Sequence, residues 1–148
     1  MFNLCFAYGS NLWGEQMKNR CPGHRVVGQG VLKGYRWYIT ERGYANLIPS
    51  ENDEVYGIVY ALTPEDEAVM DKYEGVDVGH FIKEYVNVLV NGEDCRALVY
   101  LDSNPDIQEG SPKPEYIERM NKGLQDAQLP EDYVNRYIRP VIPETIPE

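Results

Sequence analysis

The 148-residue sequence predicts an α+β fold in which a small mixed β-sheet closes into a barrel with helices on its flanks. Three observations carry this. Strand-like segments precede and surround one central helix and two helices follow, an order unlike alternating βαβ units. The strand-like run 25–40 is punctuated by Gly28, Gly30 and Gly34, and glycines inside strands mark the bends or bulges that a curling sheet needs. Asn91-Gly92 separates two apolar runs and suits a type I′ hairpin turn, whose two central residues both need positive φ.

Taken from the N-terminus, Phe2, Leu4 and Phe6 alternate with Asn3, Cys5 and Ala7 as a short buried strand. The strand stops at Tyr8-Gly9-Ser10-Asn11, where Gly, Ser and Asn are turn formers. Ser10 or Asn11 is placed to cap a short helix running to about Arg20 and ended by Cys21-Pro22-Gly23. Residues 44–48 and 55–62 read as two strands joined by the polar loop Ser50-Glu51-Asn52-Asp53, and residues 85–90 and 95–101 as the two arms of the hairpin. Thr63-Pro64-Glu65-Asp66 opens the central helix with a capping Thr, a Pro at the first helical position and acids in the first turn, and Gly75 stops it. Tyr116, Ile117, Met120, Leu124 and Ala127 keep helical spacing. Pro130 opens a last helix with Tyr133, Val134, Tyr137 and Ile138 on one face, ended by Pro140. The tail from about residue 140, with Pro143 and Pro147, reads as extended. With no repeat and no low-complexity segment, residues 1–148 are expected to form one domain.

A formal net charge of −10 argues against non-specific binding to nucleic acid or an anionic membrane, both of which reward clusters of Lys and Arg. It leaves room for a local positive spot and a small anionic substrate. Three cysteines without CxxC spacing are no disulfide framework and fit a reducing compartment. Residues 2–8 lack the pattern of a signal peptide, and no apolar stretch approaches the ~20 residues of a membrane span, so a cytoplasmic protein is expected. Two histidines, His24 and His80, form no HExxH motif or Cys/His cluster, so no metal is expected. Cys5 sits inside a strand without a motif partner, and Gly28-Gln29-Gly30 followed by Gly34 is not a dinucleotide fingerprint.

Two places are candidates for chemistry. A strand entering the Tyr8-Gly9-Ser10-Asn11 turn leaves backbone N–H groups unpaired, which favours an anion such as a carboxylate; a plain capped turn explains the same residues. Glu74 falls at the carboxyl end of the central helix, where the dipole disfavours a carboxylate by ~0.3–1 kcal/mol. That position would raise its pKa, as suits a group that accepts and returns a proton near neutral pH. An exposed surface glutamate is the competing account.

Phe6-Ala7-Tyr8-Gly9-Ser10-Asn11-Leu12 resembles the N-terminal signature of the γ-glutamyl cyclotransferase family, which shares its fold with plant AIG2-like proteins. Later blocks agree in order and spacing: Gly43-Tyr44-Ala45-Asn46-Leu47, Asp53-Glu54-Val55-Tyr56-Gly57-Ile58-Val59-Tyr60, Tyr73-Glu74-Gly75-Val76, and Pro112 to Tyr116 followed by Leu129-Pro130-Glu131-Asp132-Tyr133. The resemblance implies a small mixed barrel and a γ-glutamyl pocket lined by Tyr8, Gly9, Ser10, Asn11 and Leu12. It implies Glu74 as the catalytic acid–base and Tyr116 as a pocket tyrosine. It also implies a small-molecule γ-glutamyl substrate, release of 5-oxoproline without a cofactor, and a monomer or homodimer. One departure stands out. Phe81-Ile82-Lys83 occupies the place where relatives usually carry Tyr, often with Arg two residues on, which removes a phenol near the glutamate and bears on substrate preference. The rival class is a non-catalytic module that binds a γ-glutamyl metabolite or a partner with the same pocket.

Overall fold

The structure is a computed structural model and describes residues 2–144. Its strands are β1 (Asn3–Ala7), β2 (Arg25–Ile39), β3 (Ala45–Leu62), β4 (Phe81–Val90) and β5 (Glu93–Asp102), closed into a barrel in the order β1-β3-β2-β4-β5. Four of the contacts are antiparallel; the fifth, β1 beside β5 with Cys5 opposite Leu98, is parallel and completes the circle. That one pairing makes the barrel mixed. The helices are α1 (Gly14–Arg20), α2 (Pro64–Tyr73), α3 (Pro114–Ala127) and the short α4 (Glu131–Tyr133), which runs on as a π-helical turn over Val134–Ile138. The α+β barrel with flanking helices that the sequence predicts is present.

The barrel is narrow because glycines vacate its interior. Gly30 and Gly57 are cross-strand partners, and a Cβ on Gly57 would lie 2.1 Å from the Ala7 carbonyl oxygen and 2.9 Å from the Phe6 ring. The Phe6 ring takes that space and is 1% exposed. Val55, Val59, Val88, Ala97 and Val99 complete this inner cluster, which continues under Ile117, Met120 and Leu124 of α3. Alternate residues of the same strands, Cys5, Ala7, Tyr60, Leu62, Leu98 and Tyr100, form a second cluster with Met17, Cys21 and Met70 from the α1 and α2 side. The Asn91-Gly92 turn has φ of 52° and 80°, as a type I′ hairpin requires.

Three expectations need correction. Residues 45–48 and 55–62 belong to one strand, β3, with Tyr44 just before it. The register passes from Lys33↔Glu54 to Tyr35↔Pro49, so the polar residues 50–53 lie opposite Gly34, whose φ of 87° permits the bulge. They read as a loop because they are polar, yet the chain resumes its pairing beyond them. Ser10 and Asn11 do not cap α1. They form a separate 3-10 turn, Ser10–Leu12, and the first amide of α1, on Gly14, donates instead to Asp126 Oδ2 of α3 at 2.8 Å. The tail is not extended as it leaves Pro140: Ile142 donates its amide to Ile138 and is fully buried in the inner cluster. Pro147 lies outside the described residues.

Candidate active site

At the end of β1 the chain is pinned by its neighbours. The Tyr8 hydroxyl donates to the Tyr100 carbonyl at 2.6 Å, and Trp37 Nε1 donates to the Tyr8 carbonyl at 3.0 Å. Gly9 follows because nothing larger fits: a Cβ there would sit 2.4 Å from the Tyr116 hydroxyl. That hydroxyl, from the first turn of α3, accepts the Ser10 amide at 3.3 Å. The 3-10 turn uses the Leu12 amide on the Gly9 carbonyl and the Trp13 amide on the Ser10 carbonyl, each at 3.0 Å. The amides of Gly9 and Asn11 carry no hydrogen bond among the described residues. Of the four amides in the Gly9–Leu12 turn, these two are the ones free to meet a ligand.

Asn11 ties the turn to both neighbouring helices. Its Oδ1 accepts from Gln16 Nε2 at 2.9 Å and Arg20 Nη1 at 3.0 Å, and its carbonyl accepts the Tyr60 hydroxyl at 2.8 Å. With its acceptor so fixed, Nδ2 is directed at α2, to Met70 Sδ at 3.4 Å and, at a long 3.5 Å, to Glu74 Oε1. Gln16 Nε2 also reaches Ser10 Oγ at 3.1 Å. The serine and asparagine side chains that sequence assigns to capping thus knit the turn to α1.

Glu74 is where α2 ends. Thr63 caps the other end, accepting the Asp66 amide at 3.0 Å, and Gly75 turns the chain with φ of 64°, which glycine adopts without steric cost. The residue as a whole is half-buried, while its carboxyl group is packed into the pocket. Burial pushes the carboxyl up to about 7 from an ordinary 4.5, against the opposing pull of the Arg20 charge and the Asn11 hydrogen bond. The direction matches the sequence argument, but desolvation is the leading cause, not the helix dipole.

Glu74, Tyr8, Gly9, Ser10, Asn11 and Tyr116 all line one cavity of about 270 Å³. Leu12 does not: it is 1% exposed and packs in the core against Gly123 of α3. The cavity also brings in Arg20, Arg119, His80, Tyr44, Tyr73 and Phe81, none of which sequence reasoning placed there as a binding group. Arg20 was legible only as the last residue of a helix, and its neighbourhood to Glu74 comes from tertiary packing. The Arg20 guanidinium stacks on the Tyr73 ring, 4.3 Å from its centroid. Phe81 faces the cavity without a hydroxyl. Lys83 points elsewhere, pairing with Glu67 and with Asp71 at 3.1 Å, so it ties β4 to α2. Cys5 also faces the cavity, but burial and nearby carboxylates hold its thiol far above its ordinary value, which suppresses the nucleophilic thiolate. Among the described residues no group of three or more His, Cys, Asp or Glu is placed to hold a metal, and no helix is long and apolar enough to cross a membrane.

A mixed barrel with a half-enclosed carboxyl facing a Tyr-Gly-Ser-Asn turn defines a class of pocket suited to proton transfer on a small ligand. Residues 5–119 match the family described as gamma-glutamyl cyclotransferase, AIG2-like, and the chain belongs to that family. The gamma-glutamylcyclotransferase of Mus musculus is 28% identical over 141 aligned residues, covering 88% of this chain and 74% of that protein. The Homo sapiens protein of the same name is 27% identical over 144 residues, with the same coverage. A solved structure named gamma-glutamyl cyclotransferase superposes with a TM-score of 0.83 at 25% identity, covering 92% of this chain and 86% of that one.

Proposed function

We propose that this protein is a γ-glutamyl cyclotransferase that releases 5-oxoproline and a free amine or amino acid, with Glu74 as general acid and base. The observation that carries the reading is a carboxyl with a pKa near 7 facing a closed-in cavity beside two unpaired amides. A group poised near neutral pH both accepts and returns a proton at little cost.

The reaction is an intramolecular aminolysis. Glu74 takes a proton from the α-ammonium of the glutamyl group, and the freed amine attacks the γ-carbonyl carbon. The new C–N bond closes a five-membered lactam, and Glu74 returns the first proton to the departing nitrogen as the old amide C–N bond breaks. The second proton, given up by the ring nitrogen, ends on the released amine, which leaves as an ammonium. No redox partner or cofactor is needed. Holding the substrate folded supplies most of the advantage, since well-oriented intramolecular reactions reach effective molarities of ~10⁵ M and above. The Gly9 and Asn11 amides are suited to the α-carboxylate or to the oxyanion of the tetrahedral intermediate. The Tyr116 phenol, burdened by burial and therefore protonated at neutral pH, holds the Ser10 end of the turn in place. Free thiols at Cys5, Cys21 and Cys95 support a reducing, cytoplasmic setting.

The test is incubation with a panel of γ-glutamyl dipeptides, γ-glutamylamines and glutathione, with and without EDTA, measuring 5-oxoproline. At least one substrate should yield 5-oxoproline and free amine at the same rate under both conditions. Well-folded protein that yields none across the panel returns the cavity to a binding module.

A further inference from the structure

The proposed reaction moves two protons, and Glu74 carries only one at a time. The α-ammonium enters with three hydrogens, the lactam nitrogen keeps one, and the departing amine gains the other two. A second group that takes and gives a proton near neutral pH would shorten that route. Few groups in the cavity qualify. The Arg20 and Arg119 guanidiniums stay charged, and burial holds the Cys5 thiol and the Tyr8, Tyr60, Tyr100 and Tyr116 phenols protonated. His80 remains, and imidazole is the side chain suited to proton exchange in this range.

His80 is built into its position. Its amide donates to the Gly75 carbonyl at 2.9 Å and its carbonyl accepts the Ser103 amide at 3.1 Å, so the backbone is held from both sides. Its side chain rests on the bare Cα of Gly75: a Cβ there would lie 3.0 Å from His80 Cβ and 3.2 Å from Nδ1. Gly75 directly follows Glu74, so the turn that ends α2 also carries the imidazole to the edge of the cavity that holds the carboxyl. The residue is exposed, which puts the ring at the mouth, where the departing amine leaves. Among the described residues neither ring nitrogen has a hydrogen-bond or ion-pair partner. Phe81, next in the chain, lines the same cavity without a hydroxyl, so β4 offers no competing proton carrier. The other charged groups around the ring's end of the cavity are Glu74 of α2, Arg20 of α1 and Arg119 of α3, with Asp77 in the turn itself.

We propose that His80 is the second proton carrier of the reaction, a role that rests on the cyclotransferase reading of the same cavity. Once the amine has attacked, neutral His80 takes the second proton from the positively charged ring nitrogen. Glu74 returns the first proton to the departing nitrogen as the amide C–N bond breaks, and the oxyanion's electron pair re-forms the carbonyl. The imidazolium then protonates the released amine. Both groups end as they began, and no co-reactant is consumed.

His80→Gln keeps a polar side chain and removes the proton carrier. On the γ-glutamyl dipeptide that the parent uses best, kcat should fall by about 10²-fold with KM little changed and Tm unmoved. Imidazole added to His80→Ala should restore part of the lost kcat and leave the parent unaffected. The acid limb of log kcat/KM, set in the parent by two groups that must both start unprotonated, should flatten in His80→Gln to the single ionisation of Glu74. A kcat within a few-fold of the parent, or a loss that imidazole does not restore, overturns the assignment. Inactive Glu74→Gln beside fully active His80→Gln removes the role of His80 alone. A parent that forms no 5-oxoproline removes the cyclotransferase reading and the role of His80 with it.

Discussion

The two faces of β1 meet different surroundings although their residues are neighbours in sequence. Phe6 points inward among Val59, Val88, Ala97 and Val99, where shape alone is matched and no polar atom needs a partner. Cys5 and Ala7 point outward with Tyr60, Leu98 and Tyr100, where each tyrosine hydroxyl is bonded, Tyr60 to the Asn11 carbonyl and Tyr100 to Asp71 Oδ1 at 2.6 Å. The inner face fixes the barrel. The outer face carries a cavity in which polar groups are paired with one another and a carboxyl is left with one long hydrogen bond. The site thus draws chiefly on the outer face of β1, with Phe6 and Tyr8 of the inner cluster bordering the cavity at its edge.

The largest expected effect tests the outer face alone. Glu74→Gln keeps shape and hydrogen bonding but removes the proton acceptor, so turnover should fall by ~10²–10⁴-fold while the melting temperature does not drop. Turnover and Tm in one buffer check this, and a variant within a few-fold of the parent would show that Glu74 is not the proton acceptor. The inner face should respond in the opposite way. Phe6→Ala leaves a void over Gly30 and Gly57 and should cost ~3–5 kcal/mol in urea unfolding, with turnover per folded molecule falling far less than in Glu74→Gln. Equal loss of activity and stability in both variants would show that the faces are not separable.

The smallest effect is in the pH dependence. Because the folded pKa of Glu74, about 7, lies above its ordinary 4.5, the native state binds the proton more tightly between those values. The stability associated with the neutral carboxyl is therefore lost as pH rises from about 4.5 to about 7 and is level beyond. Glu74→Gln should match the parent in Tm near pH 4 and exceed it at pH 8. Parent kcat/KM should fall below pH 7, as the base becomes protonated. A Tm difference that is constant from pH 4 to 8 would contradict the burial of the carboxyl.

Much of this was legible in the sequence where local chemistry decides the outcome. The Thr63-Pro64 start, the Gly75 stop and the Asn91-Gly92 hairpin each depend on a few consecutive residues, and each is found in place. Glu74 was visible as a charge at the wrong end of a helix. Desolvation, its main cause of perturbation, could not be read because it comes from the strands and helices packed around it. The same limit hid Arg20, His80 and Arg119, which lie far apart in sequence and share no motif. Residues 50–53 misled for a different reason: polarity signals a loop, but a strand can carry polar residues outward through a bulge and resume.

The parallel contact between β1 and β5 sets an order of assembly. The first strand to be made has its closing partner ninety residues later, and the Tyr8–Tyr100 and Ser10–Tyr116 bonds span 92 and 106 residues of chain. Loops of that length close slowly, since their entropy is lost before their contacts are gained. During synthesis, β1 must therefore wait with one edge unpaired until β5 has emerged, and the Gly9 turn has no lid until α3 follows. The pocket is among the last parts of the protein to exist. An incomplete chain ending before Pro114 has every residue of the Tyr-Gly-Ser-Asn turn and Glu74 itself, yet lacks the wall that holds them together.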